Sequence, residues 1–226
     1  MTPQDAIAEL TLIADAANAE PMAAYHKIER PYLGVSNVEI DKAVRAWRGA
    51  LTLDERLTLA DGLWQTNIHE ARVAAAKLLL QARIRPSDEG AWQMITSWVP
   101  QFDAWAIADH VSIAGQKRLV ADPERLDTAE GWTKSDHKWT RRAALVMTLP
   151  WARMRNPKPL DLKRRDRILG WAATYVVDHD WFIQKSVAWW LRDHSRHDPE
   201  AVRGFLAEHG AQMRGFARKE AARHLP

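Results

Sequence analysis

The chain has no cysteine among its 226 residues. Disulfide staples, thiolate metal sites and a cysteine nucleophile are therefore excluded, and the composition suits a reducing, cytoplasmic setting. Glycine is sparse at ten residues, with no phosphate-cradling loop and no glycine-flanked serine elbow among them. Long hydrophobic runs are missing as well. Ala143 to Leu149 is typical of the longest, far short of the roughly 20 apolar residues that cross a bilayer. The start, Met1-Thr2-Pro3-Gln4-Asp5, is acidic and lacks a basic region leading into an apolar segment, so neither a secretion signal nor a membrane association is expected. Metal-ligand spacing is weak: His69-Glu70 lacks the second histidine of a zinc-protease motif. His194, His197 and Asp178-His179-Asp180 flank a helix end, where such residues act as caps. No metal and no cofactor are expected.

What is present is charge, tryptophan and helical periodicity. Net charge is only +3, but residues 1 to 60 hold six Lys/Arg against nine Asp/Glu, so the remainder carries +6. Arg153, Arg155, Lys158, Lys163, Arg164, Arg165 and Arg167 crowd one segment opposed only by Asp161 and Asp166. Such a run is either a solvated face or a surface for a phosphate backbone. Twelve tryptophans spread from Trp47 to Trp190, and most must be core, because each buries about 150–250 Å².

No stretch alternates convincingly as a strand. Thr2 and Pro3 predict a helix start followed by Ala6, Ile7, Leu10, Ile13 and Ala14, with Pro21 to Tyr25 continuing it. Pro31 to Ser36 reads as a loop, and Ser36 or Asn37 caps a helix through Ala46. Thr52 caps a helix to about Trp64, and Asn67 caps another that buries Ala71, Ala74, Ala75, Leu78 and Leu79. The alternation of helix and short polar connection continues to the end. Taking Arg72, Asp109, Arg142, Lys185 and Lys219 as equivalent anchors gives spacings of 37, 33, 43 and 34 residues. These suit HEAT or armadillo units. The expected fold is all-α: an α-helical solenoid of HEAT-like antiparallel helix pairs with a concave basic groove. It would occupy residues 1–226 as one domain of about six pairs.

Within this pattern Trp105 and Asp109 stand four residues apart in an alanine-rich segment. At that spacing both side chains share one helical face, roughly 5–6 Å apart at Cβ. On spacing alone the ordinary reading is a core tryptophan beside a solvated carboxylate. Lys185, Trp189 and Arg192 likewise share a face, which an amphipathic helix with an inward tryptophan and snorkelling cations would also produce. Whether Trp189 or Trp190 faces outward rests on a one-residue register.

Several pieces, taken in order, resemble the DNA alkylation repair family of HEAT-like glycosylases, the AlkD type, over nearly the full length. They are Pro21-Met22-Ala23-Ala24-Tyr25 with Leu33-Gly34-Val35, then Leu63-Trp64 with His69-Glu70-Ala71-Arg72, and Trp105-x-x-x-Asp109. Trp139-Thr140-Arg141-Arg142-Ala143-Ala144, the block Phe182 to Arg192, and Arg218-Lys219-Glu220-Ala221 complete the set. The resemblance implies a monofunctional glycosylase that hydrolyses the N-glycosidic bond of positively charged N3- or N7-alkylated purines in duplex DNA. It places the catalytic carboxylate on Asp109, its tryptophan partners on Trp105 and Trp189, and a phosphate-gripping arginine on Arg142. Tyr25 matches a further groove residue, and Lys185 and Arg192 would flank Trp189 as DNA-binding cations. The partner would be double-stranded DNA with alkylated bases, bound by a monomer without a membrane.

The chain departs from the family pattern at Ala106, where a second tryptophan is expected, and carries Asp103 upstream instead of a neighbouring aspartate. Trp98, seven residues before Trp105, is a candidate replacement. Two other readings follow from these departures: a non-catalytic HEAT-repeat protein that binds duplex or branched DNA, and a HEAT-type protein adaptor. The adaptor leaves the joint presence of Trp105, Asp109, Arg142 and Trp189 unexplained.

Overall fold

The computed structural model describes residues 1–225, and among them every regular element is helical. The chain forms two compact units, residues 1–121 and 122–226. The first unit contains α1 (Pro3–Leu12), α2 (Ala16–His26), α3 (Asn37–Ala50), α4 (Leu53–Gln65), α5 (His69–Leu78), α6 (Glu89–Trp98) and α7 (Trp105–Ala121). The second contains α8 (Leu126–Trp132), α9 (Lys138–Met147), α10 (Leu149–Ala152), α11 (Pro159–Tyr175), α12 (Trp181–His194), α13 (Pro199–His209) and α14 (Gly215–Ala221).

Local chemistry sets most boundaries. Thr2 and Asp5 form a reciprocal capping box at 3.1 and 2.8 Å, and Thr52 forms another with Glu55. Ser36 caps α3 as expected. The expected continuation of α1 through Pro21 is corrected: the chain stops at Leu12 and restarts at Ala16, because the Asp15 carboxylate accepts from Ala17 N–H at 2.9 Å. Asn67 does not cap α5 either. It takes a left-handed conformation with φ 57°, which asparagine tolerates, leaving Ile68 as the N-terminal boundary.

In the first unit α3, α5 and α7 pack in sequence, while α1, α4 and α6 form the neighbouring row. The second unit repeats this scheme: α9, α12 and α14 are neighbours, with α8 against α9 and with α11 and α13 against α12. The five proposed anchors fall on one kind of helix, Arg72 on α5, Asp109 on α7, Arg142 on α9, Lys185 on α12 and Lys219 on α14. The irregular spacing thus comes from connections of unequal length around a helical repeat.

Tryptophans fill the core of both units. Trp47, Trp64, Trp98, Trp151 and Trp190 are fully buried. Trp64 and Trp98 stack with centroids 4.5 Å apart and planes at 7°, so Trp98 packs inside and does not replace the missing second tryptophan. Two of the five use their polar edge: Trp47 Nε1 donates to Glu9 at 2.6 Å and Trp64 Nε1 to Gln101 at 2.9 Å. Among the described residues no helix is long and apolar enough to cross a membrane.

Candidate active site

The Pro31–Ser36 loop is held by a buried carboxylate. Glu70, on α5, accepts from the backbone N–H groups of Leu33 and Gly34 at 2.9 and 2.8 Å. Gly34 has φ 76°, and a Cβ there would run into the Asp15 carbonyl oxygen. Only glycine meets both demands without strain, so the loop is clamped against the start of α2. That clamp sets α2, and with it Tyr25, against the first turn of α7.

On α7, Trp105 and Asp109 are both half-buried, while Ala106, Ile107 and Ala108 between them are buried. The tryptophan and the carboxylate therefore share the accessible face of this helix. The 106 position points into the packing of the first unit, where a bulky indole would need a rearranged core. Tyr25, 69% exposed, meets Trp105 edge-on at 5.7 Å and 88°. His26 touches the same indole at 5.3 Å and stacks on His69 at 4.4 Å, and Tyr32 stacks on His69 at 4.9 Å.

This aromatic cluster is kept uncharged. Burial, with lesser contributions from His26, Arg30 and His110, lowers the His69 pKa to about 3. Burial followed by Lys77 brings His110, next to Asp109, to about 4. His26 is lowered chiefly by burial and then by Arg30. Asp103 pairs with the buried Arg30 and stands 3.7 Å from Arg72, so the upstream aspartate neutralises two arginines behind the cluster. Sequence reasoning passed over His26 and Tyr32, because single aromatics in a loop-flanked stretch carry no periodic signal.

In the second unit the register at α12 is resolved: Trp190 is 0% exposed and Trp189 is half-buried. The Trp189 ring is fixed through Asp193, which accepts from its Nε1 at 3.1 Å and from Arg153 Nε at 2.8 Å. The Arg153 guanidinium lies 5.9 Å from the indole centroid, at the outer reach of a cation–π contact. Trp189 opens onto a cleft of about 910 Å³ whose other walls are Arg153, Arg155, Arg192, Asp193, Arg196, His197, Arg223 and His224.

The other cations named from sequence are internally paired. Lys185 and Arg192 both bind Glu220, the latter at 2.6 Å, and Arg192 also reaches Asp193 at 3.1 Å. Arg142 is 3% exposed and its Nη1 donates to the Phe182 carbonyl at 2.9 Å. In this conformation it ties α9 to the first turn of α12, where a phosphate could reach it only after that burial is given up. The basic run also divides. Arg165 is buried and donates to the Trp151 carbonyl at 2.8 Å, while Arg164 and Arg167 pair with Glu124, Asp127, Glu130 and Asp161. Arg153 and Arg155 are left to the cleft.

These features define an all-helical repeat protein with a tryptophan–carboxylate face in one unit and a cationic tryptophan cleft in the other. Residues 6–225 match the family described as DNA alkylation repair enzyme, and the chain belongs to that family. Among solved structures, a protein from Enterococcus faecalis described as a predicted DNA alkylation repair enzyme aligns at 21% identity with a TM-score of 0.79, covering 94% of this chain and 96% of that one. AlkD2 from Streptococcus mutans aligns at 18% identity and a TM-score of 0.62, covering 84% and 91%. A structure described as smu.31 from Streptococcus mutans UA159 aligns at 18% identity and a TM-score of 0.61, covering 83% and 92%. At these identities the structures establish a shared fold. Among curated proteins there is no match.

Proposed function

We propose that this protein is a monofunctional DNA glycosylase that releases positively charged N3- or N7-alkylated purines from duplex DNA. The observation that carries the reading is the face of α7, where Trp105 and Asp109 stand accessible together with Tyr25 over Trp105. A purine alkylated at N3 or N7 is cationic and already a good leaving group, so no strong general acid is needed. As the N-glycosidic bond breaks, positive charge passes to the sugar. The Asp109 carboxylate stabilises that oxocarbenium-like centre and orients or deprotonates the attacking water, the two tasks carboxylates perform in glycosidic cleavage.

Indole faces carry negative quadrupole charge. Trp105, on the same face as Asp109, contributes contacts to the polarised sugar C–H groups and the cation, worth roughly 0.5–2 kcal/mol, and Trp189 acts as the DNA-facing indole of the second unit. Tyr25, Lys185 and Arg192 act on the DNA backbone. Arg142 contributes through the first turn of α12, and as a direct phosphate contact only if it leaves the Phe182 carbonyl.

The test is direct: methylated duplex DNA is incubated with the protein, and released 7-methylguanine and 3-methyladenine are resolved by chromatography. Release that rises with protein concentration supports the reading. Tight binding of the duplex without release supports the second reading, a non-catalytic DNA-binding protein, which the buried Ala106 in place of an indole favours.

A further inference from the structure

The cleft beside Trp189 carries more positive charge than the internal carboxylates neutralise. Arg153 and Arg192 are held by Asp193 and Glu220. Arg155, Arg196 and Arg223 are exposed, and among the described residues none of the three pairs with a carboxylate. Arg196 instead faces His224 Nε2 at 2.9 Å, an arrangement that requires an uncharged imidazole accepting from the guanidinium. Desolvation first, and then the surrounding cations, lower His197 and His224 below the ordinary histidine range. Guanidinium groups gathered on one cleft wall without counter-charge repel one another, and an anion with several oxygens relieves that repulsion by accepting paired N–H bonds.

We propose that this cleft seats two neighbouring phosphates of a DNA strand, with Arg155, Arg196 and Arg223 as the contacts and Trp189 as its rigid wall. The inference rests on DNA being the ligand and deepens that reading by moving phosphate recognition in the second unit from buried Arg142 to these three arginines. Asp193 gives the site its shape. By holding Arg153 and fixing the Trp189 indole, it keeps one wall in place while the opposite wall stays open for the incoming oxygens. A chain of linked phosphates without sugar or base presents the same chemistry, so the experiment separates the two sources.

Binding of an unmodified fluorescent duplex is measured across a salt series for the wild type, for the double variant Arg155→Gln/Arg223→Gln, and for Lys134→Gln/Lys163→Gln. The last pair removes two exposed charges from elsewhere in the second unit. Calorimetry with tripolyphosphate is run alongside, and thermal melting confirms that each variant is folded. Each phosphate contact contributes about 0.9 to the salt slope, so the cleft variant is expected to lose about two units of slope and of the order of tenfold in affinity per contact. The lysine pair should lose much less. Equal losses in both variants, or an unchanged slope in the cleft variant while the wild type binds duplex, overturn the cleft assignment and leave the DNA reading intact. Tripolyphosphate binding that depends on Arg155 and Arg223, without any duplex binding, keeps the phosphate-pair chemistry but rejects DNA as its source. Binding of neither overturns both.

Discussion

Acid should destabilise this protein well before its carboxylates titrate. His69 is held near a pKa of about 3 and His110 and His194 near about 4, each chiefly by burial. In the unfolded chain these groups return to about 6.5. The sign follows from proton counting: between about pH 6.5 and 4 the unfolded state holds protons that the folded state refuses, so stability falls as pH falls. One proton corresponds to about 1.36 kcal/mol per pH unit. Three fully shifted histidines give a limiting slope of about 4 kcal/mol per unit near pH 5. His110 is only half-buried, so the observed slope should lie below that limit. The assay is urea unfolding followed by tryptophan fluorescence at pH 7.5, 6.5, 5.5 and 5.0, with proton uptake measured independently in buffers of different ionisation enthalpy. His69→Gln should remove about one proton from the count. Stability that is flat between pH 7.5 and 5.0, or an unchanged proton count in that variant, would refute the neutral aromatic cluster behind Trp105.

The α12 register makes a paired prediction: Trp190→Ala should destabilise by about 3–5 kcal/mol as a core truncation, whereas Trp189→Ala should cost far less, and comparable losses in chemical denaturation would contradict the assignment. Glu70→Gln leaves only one acceptor oxygen for the two loop N–H groups, so we expect a loss of about 1–3 kcal/mol together with faster hydrogen exchange at Leu33 and Gly34; protection equal to wild type would argue that the loop is held otherwise. Gly34→Ala should be more damaging than an ordinary loop substitution, because its left-handed backbone and the Asp15 carbonyl both oppose a Cβ, and a wild-type melting temperature would disprove that. Asp193→Asn should loosen the Trp189 ring and Arg153 together, visible as changed tryptophan emission, and an unchanged spectrum would show that packing alone fixes the indole.

The helical repeat was legible because its signals are local. Capping residues such as Thr2, Ser36 and Thr52 act within one turn, and the anchors from Arg72 to Lys219 recur on one kind of helix whatever the connection length. The sharing of a face by Trp105 and Asp109 was equally readable, since spacing on a helix fixes direction. What spacing cannot convey is how deep a side chain lies or which distant group meets it. Arg142 matches a family motif, yet its guanidinium turns to the Phe182 carbonyl across 40 residues of sequence. The basic run from Arg153 to Arg167 looked uniform, but Glu124, carboxylates on α8 and α11 and buried carbonyls take up Arg164, Arg165 and Arg167. The cleft arginines come from separate segments around residues 153, 196 and 223, so only folding gathers them. His26 and Tyr32 were missed for the same reason: their stacking on His69 is a tertiary relation with no periodic trace.

The central claim is that Asp109 stabilises charge developing on the sugar of an alkylated nucleotide. Single-turnover release of 7-methylguanine from methylated duplex DNA, comparing wild type with Asp109→Asn at saturating protein, tests it most directly. Asparagine keeps the shape and removes the charge, so the account predicts a rate lower by about two to three orders of magnitude with duplex affinity nearly unchanged. Release by Asp109→Asn at the wild-type rate would contradict it.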